Sequence, residues 1–571
     1  MQFTLNMNFQ LEIIKLLAKE TKLKKEELEN LISVPPDPKL GDYAFPCFRL
    51  GKNPKEAAET LKKKLKLPKF LSKVEVVGPY LNFFVNNTTL VEETLTKVSK
   101  KRESYGKGKE KSKMVIEYCG PNTNKPLHLG HVRNMALGNS VYNILSFIGN
   151  KVHPVNIIND RGIHICQSMI AYQKWGKKKE PDKKGDHFVG DYYVMFSQKA
   201  KEEEKQGKNN LKNEAQETLL KWERKDKETL ELWKKMNSWV LNGFGETYKR
   251  FGIKFEKEYF ESKYYQKGKD IVLAGFKNKI FAKDETEAIY ADLEEYKLPN
   301  KVLLRGDETS VYMTQDLYLA EKRYEDFKFN KMIYVVASEQ RTHFQQLFKI
   351  LELLKKPYAK NLHHLSYGLV NLPSGRMKSR EGTVVDADDI MDETSALAEI
   401  EIKKRHKSLS EKEIKRRAEL ISLGAIKFFM LRTDSARDVV FNPEESLSFE
   451  GETGPYVQYT HARSCSILRK AGNISGKINY SLLNQEEELA VIRLLYDFPE
   501  AIEKSAKDYK PHHIANHLIT LAQAFNEFYH KCPVISERDE QMKARLLLVD
   551  SVRQVLENGL KLLGIKAPDE M

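Results

Sequence analysis

Pro121-Asn-Thr-Asn-Lys-Pro-Leu-His-Leu-Gly-His-Val-Arg-Asn134 is the stretch on which the reading of this chain turns. Before it runs Met114-Val-Ile-Glu-Tyr-Cys119, an apolar, β-branched segment bounded by Gly120 and Pro121, which reads as a buried strand. After it, Val132, Met135, Ala136, Val141 and Ile144 recur at helical spacing until Gly149-Asn150 stops the pattern. A second strand is expected over Lys151 to Ile158. The stretch is therefore the turn of a β-α-β unit, with His128, Gly130 and His131 where the helix begins.

Such a turn suits a nucleoside triphosphate, because free backbone N–H groups and the positive end of the helix dipole point beyond the strand. Gly130 has no Cβ, so a base or ribose can lie against the backbone. Two imidazoles three residues apart can both donate to phosphate oxygens, and Lys125 adds a cation. A His-x-x-His pair also serves as a metal site or as two ordinary surface histidines. Its place after a strand, with Gly between the rings and Pro-Asn before them, favours the nucleotide.

His128-Leu-Gly-His131 resembles the nucleotide signature of class I aminoacyl-tRNA synthetases. The longer run from Glu117 to Asn134 is similar to arginyl-tRNA synthetases of bacterial type. That resemblance implies an α/β Rossmann-type nucleotide-binding catalytic domain with an insertion, an N-terminal α+β module and a C-terminal all-α helical bundle. It implies ATP carrying Mg²⁺ on its phosphates as substrate, with L-arginine and an arginine tRNA as partners. It implies no protein-bound structural metal, a monomer, and an enzyme whose activation step requires bound tRNA.

At 571 residues the chain is too long for one core and predicts roughly three to five domains. Hydrophobic residues at 41% and charged residues at 31% are ordinary for a soluble protein, and no run of about 18 apolar residues offers a membrane span. Met1-Gln-Phe-Thr-Leu lacks the basic head and apolar centre of a secretory signal, which leaves the cytoplasm as the expected location. Cys47, Cys119, Cys166, Cys465 and Cys532 are scattered, as reduced buried thiols are, with no Cys-x-x-Cys pair for a zinc ribbon. The net charge of +15 favours a polyanionic partner but also arises in any lysine-rich proteome.

In chain order, residues 1–107 read as a small α+β module with helical periodicity at Leu11, Ile14 and Leu17 and a strand pattern over Val74 to Val85. By resemblance this is the domain that touches the D-loop of the tRNA, with Tyr80 and Asn82 facing RNA. Tyr80, Phe83 and Phe84 serve equally well as core aromatics. The catalytic module is expected over 112–395, with an insertion at about 165–300. In the insertion a charged helix from Lys199 to Lys249 shows a stripe of Leu219, Trp222, Leu230, Trp233 and Trp239. Strands at Val302-Leu-Leu, Met332 to Val336 and near Leu365 restore the α/β rhythm. The basic loop Leu372-Pro-Ser-Gly-Arg-Met-Lys-Ser-Arg-Glu-Gly382 resembles the second class I signature, although Arg376 stands for its first lysine. A helical connection over 396–453 leads to a bundle over 454–571, the anticodon-binding domain by resemblance. There Tyr456, Tyr459 and Arg463 share a helix face as a stacking platform or as plain core, and Met571 ends the chain.

The resemblance also assigns the site residue by residue. Pro121, Asn122, Lys125, Pro126, His128, Leu129, Gly130 and His131 hold ATP, joined by Met377, Lys378, Ser379 and Arg380. Glu117, Asn122, Tyr312, Asp316 and Gln340 receive arginine. A guanidinium is planar and always charged, so carboxylates and neutral acceptors set as a fork are the chemistry it needs. Tyr80, Asn82, Tyr456, Tyr459, Arg463 and Met571 touch tRNA. Glu308, where the family pattern leads us to expect a glycine, would crowd the turn near the adenosine.

Overall fold

The computed structural model describes residues 8–373, 385–406, 408–472, 476–535 and 539–571. The chain opens with helices α1 (Phe9–Glu20) and α2 (Lys25–Leu31). Asn8 caps α1 by accepting the Leu11 N–H, and Phe9, Ile13, Ile14 and Leu17 form its buried stripe. Strand β1 (Tyr43–Pro46), helix α3 (Pro54–Lys64) and the hairpin of β2 (Leu71–Val77) and β3 (Tyr80–Val85) complete the first module. Its antiparallel sheet runs β1-β3-β2. Helix α4 (Asn87–Lys101) carries the chain out of it.

Strand β4 (Lys113–Glu117), helix α5 (Leu129–Phe147) and strand β5 (Lys151–Ile158) are the β-α-β unit expected from the sequence. β4 stops two residues early, because Cys119 and Gly120 take positive φ angles of 82° and 62° and turn the chain into the signature. Helices α6 (Ile163–Trp175), α7 (Gly185–Lys205), α8 (Asn210–Glu223) and α9 (Lys227–Phe251) follow, then β6 (Lys257–Phe260). The single charged helix expected over 199–249 is thus three pieces. The breaks fall at Gly207 and Lys225, both in the left-handed region.

After α10 (Glu261–Tyr264) and α11 (Lys269–Lys277) comes a small antiparallel sheet of β7 (Ala282–Lys283), β8 (Ile289–Ala291) and β9 (Lys301–Leu304). Val302-Leu-Leu therefore lies outside the main sheet, contrary to the sequence expectation, because it pairs antiparallel with β8 just before it in the chain, across the loop 292–300. The α/β rhythm resumes with α12 (Tyr312–Phe327), β10 (Lys331–Ala337), α13 (Arg341–Leu353) and β11 (Leu362–Tyr367). The main sheet is parallel throughout, in the order β11-β10-β4-β5-β6. The order runs outward in both directions from β4, which makes the junction of β4 and β10 its switch point.

Strand β12 (Val370–Asn371) leads toward α14 (Ala387–Arg405) and α15 (Glu411–Leu431); β13 (Val439–Val440) then pairs with β12, and α16 (Pro443–Ser446) follows. The chain ends in a bundle of α17 (Gly454–Ala471), α18 (Glu486–Asp508), α19 (His512–Lys531) and α20 (Asp539–Leu562). The first module rests on α18. The Phe9 N–H donates to the Tyr496 hydroxyl at 3.0 Å, and Arg493 pairs with Asp42, whose other oxygen accepts the Val85 N–H. All five cysteines are buried and free. No helix among the described residues is long and apolar enough to cross a membrane.

Candidate active site

A cleft of about 700 Å³ opens over the carboxyl ends of the main strands. Glu117 reaches it from β4, Asn159 from β5, Glu261 from the end of β6, Gln340 from beyond β10 and Tyr367 from β11. His128, Gly130 and His131 form one wall, and Tyr312 and Asp316 of α12 another.

The imidazoles are fixed by the helix they start. His128 is the N-cap of α5. Its Nδ1 accepts the Gly130 N–H at 3.2 Å, while His131 Nδ1 accepts the His128 N–H at 3.1 Å. Burial, with the Lys125 charge adding, pulls His128 down to about 3, and burial with the charges of His128 and Lys125 pulls His131 well below its ordinary value. Both rings are therefore neutral, and because Nδ1 is an acceptor in each, the proton sits on Nε2. Two Nε2–H donors thus stand side by side, their ring centroids 3.9 Å apart. A Cβ on residue 130 would come within 3.1 Å of the His128 ring, so the glycine between the histidines is what lets the first ring fold back as a cap.

Arg133 and Asn134, from the same motif, hold the cleft together. Arg133 is buried and donates to the carbonyls of Gly368, Leu369, Ser435 and Arg437. Asn134 accepts the Cys119 N–H and donates to the Val335 carbonyl and the Tyr367 hydroxyl, joining the ends of β4, β10 and β11. The signature turn is also braced from α7 and α14. The backbones of Leu127 and Leu129 bond to Ala387 and Val385. Lys184 Nζ lies 2.6 Å from Asp388 and 3.0 Å from Asp186, and His187 Nε2 lies 3.0 Å from Asp388.

The opposite wall is acidic. Asp316 accepts from His343 Nε2 at 2.7 Å. Glu261 is buried and its carboxyl is pushed up to about 7, by burial first, with Asp160 and Asp316 adding and Arg161 opposing. Asp160 accepts the Ser262 N–H at 2.8 Å and its hydroxyl at 2.7 Å, which fixes the start of α10 and aims Glu261 into the cleft.

Glu117 lines the cleft as expected, but one oxygen is already paired with the buried Arg323. Arg323 on α12, His343 on α13, Arg161 after β5 and Glu261 after β6 are the residues that sequence reasoning missed; each sits outside any motif and reaches its carboxylate or cation partner only through tertiary packing. Glu308 does not line the cleft. It occupies an exposed turn with φ 61°, which is why a glycine suits that position, and it pairs with Lys269. Met377, Lys378, Ser379 and Arg380 lie outside the described residues.

On the first module Tyr80 is exposed at the hairpin and meets Phe48 edge to face at 5.8 Å. Asn82, expected to face RNA beside it, is only 3% exposed in the middle strand, where β1 and β2 cover it. In the bundle Arg463 donates to Asn526 at 2.7 Å and to the Tyr459 hydroxyl at 3.2 Å, and Asn526 donates to the Tyr456 hydroxyl at 2.8 Å. Tyr459, Arg463 and Met571 line one hollow of about 820 Å³. Glu570 pairs with Arg417 and Arg469, which seats the tail.

A parallel sheet with a His-x-Gly-His turn at its switch point, followed by a helical bundle, defines a class I aminoacyl-tRNA synthetase. Residues 93–443 match the model of class I (R) tRNA synthetase catalytic domains, 457–571 the DALR anticodon binding domain, and 7–85 the arginyl-tRNA synthetase N-terminal domain. The chain belongs to the arginyl-tRNA synthetase family. It is 46% identical to the arginine–tRNA ligase of Treponema denticola over 96% of each chain, and 43% identical to that of Bacteroides fragilis over 92% of each. The solved arginyl-tRNA synthetase of Thermus thermophilus superposes with a TM-score of 0.80 at 26% identity, covering 99% of this chain and 100% of that one.

Proposed function

We propose that this chain is an arginine–tRNA ligase. In a first step the arginine carboxylate attacks the α-phosphorus of ATP, the bond to the β-phosphate bridging oxygen breaks, and arginyl-adenylate and pyrophosphate form. In a second, the 2′-hydroxyl of the terminal adenosine of the tRNA attacks the acyl carbon and AMP leaves. The observation that carries this reading is one cleft with two kinds of wall: paired Nε2–H imidazoles on one side, and Asp316 with Glu261 on the other.

His128 and His131 donate to phosphate oxygens as charge builds there, being neutral and fixed before substrate arrives. Gly130 leaves the backbone open to the nucleoside, and Pro121, Asn122, Lys125, Pro126 and Leu129 shape the same turn. Mg²⁺ enters on the ATP phosphates as part of the substrate. Asp316 and Glu261 accept the guanidinium, with Tyr312 and Gln340 beside them. Glu117, its charge shared with Arg323, and Asn122 serve the amino-acid end of the substrate. Positioning and electrostatics supply the rate, with no covalent step on the protein. Tyr80, with Phe48, is proposed to meet the D-loop, and Tyr456, Tyr459, Arg463 and Met571 the anticodon.

The test is charging of total tRNA with each labelled amino acid. Arginine alone is expected to be incorporated by the wild type, and Asp316→Ala is expected to reduce that incorporation by at least a hundredfold. Incorporation of another amino acid, or tRNA binding with no charging at all, would overturn the reading.

A further inference from the structure

His343 belongs to no signature, yet its Nε2 sits 2.7 Å from Asp316 Oδ2, across from one helix to the next. A carboxylate has no proton to give, so the imidazole donates. The ring is itself held. It meets Phe344 edge to face at 5.7 Å, and Phe344 stacks on His364 at 4.5 Å. His364 in turn donates through Nε2 to the Val336 carbonyl at 2.9 Å, which ties the group to the end of β10.

The bond has a geometric consequence. An aspartate turns freely about its last torsion, and a planar guanidinium forms its strongest bonds only when carboxylate and fork are aligned. His343 occupies Oδ2 and fixes the carboxylate plane, so Oδ1 is the oxygen left to the cleft. We propose that His343 is a positioning residue for the amino-acid substrate: it locks Asp316 in the plane that a guanidinium requires. This rests on the reading of Asp316 as a guanidinium acceptor. His343 itself touches no reacting atom.

A positioning role predicts a split that general destabilisation does not. In His343→Ala the KM for arginine is expected to rise at least tenfold, with kcat within about threefold of wild type and the KM values for ATP and tRNA unchanged. Glutamine places an amide N–H about where Nε2 stands, so His343→Gln is expected to recover most of the loss. Asparagine is too short, and His343→Asn is expected to behave like the alanine variant. In an Asp316→Asn background His343→Ala is expected to add little, because the two residues act as a unit.

The proposal is overturned if the arginine KM of His343→Ala stays within twofold of wild type, if kcat or the ATP KM falls or rises in step with it, or if asparagine restores function where glutamine does not. Should the alanine variant fail to fold, the comparison of glutamine with asparagine decides alone. The underlying reading fails in a different way: Asp316→Asn would then leave the arginine KM of the otherwise wild-type enzyme unaltered.

Discussion

Glu261 shows at the level of one residue how burial sets a working range. Its carboxyl, raised to about 7, is half protonated near neutrality, whereas a bound guanidinium favours the charged form. Binding must therefore expel a proton below about pH 7 and need expel none above it. The KM for arginine is expected to climb toward tenfold per unit as pH falls from 7 to 5.5, while the KM for ATP stays level, since His128 and His131 remain neutral over that range. Glu261→Gln should raise the arginine KM at pH 8 and flatten its pH dependence. Initial rates across pH 5.5 to 8.5 give both answers. Nothing in the local sequence marks Glu261, because its partners Asp160, Arg161 and Asp316 are distant along the chain and meet only at the sheet's edge.

Among the elements, helix α5 concentrates the most constraint. Its first turn holds the two imidazoles, its second holds Arg133 and Asn134, and at Gly138 it lies flush on Tyr118. A Cβ there would come 2.3 Å from the Tyr118 ring, itself buried. Gly138→Ala is expected to cost about 1–3 kcal/mol by forcing α5 away from Tyr118, just past the end of β4, seen as a lower thermal-inactivation midpoint together with a raised KM for ATP. Elements of this kind were legible from residue order alone. The strand before the signature, the helix after it and the strand at Lys151 are each written in apolar spacing that a local pattern carries. The breaks at Gly207 and Lys225 escaped notice because a charged stripe reads the same across a short turn. The acidic wall was half legible: Tyr312 and Asp316 stand at a helical interval, whereas His343 and Arg323 meet their carboxylates through tertiary packing with no sequence period to announce it.

At the scale of the whole molecule, the insertion is more than an appendage, since α7 buttresses the catalytic turn through His187 and Lys184 against Asp388, with Asp386 and Asp186 alongside. The hydrogen bond to Asp388 raises His187 against the burial that opposes it. A histidine raised in the fold lends stability that is complete below its unfolded value and disappears as pH climbs through the folded one. His187→Gln is thus expected to lower resistance to heat, and to lower it more at pH 6 than at pH 8.5. Inactivation half-lives at the two pH values settle it. The same long-range wiring governs how the protein comes into being. Strand β4 lies at the centre of the main sheet, but the segment that flanks it on one side is made much later, with Lys113 and Asn330 bonded across 217 residues. At ribosomal speeds that gap is roughly 10 to 40 s. For that interval the nascent chain carries β4 with one bare edge and a nucleotide turn still without its partners at Val335, Tyr367 and Ala387, a natural substrate for chaperones and a point at which slow codons in the insertion would be felt as lost yield.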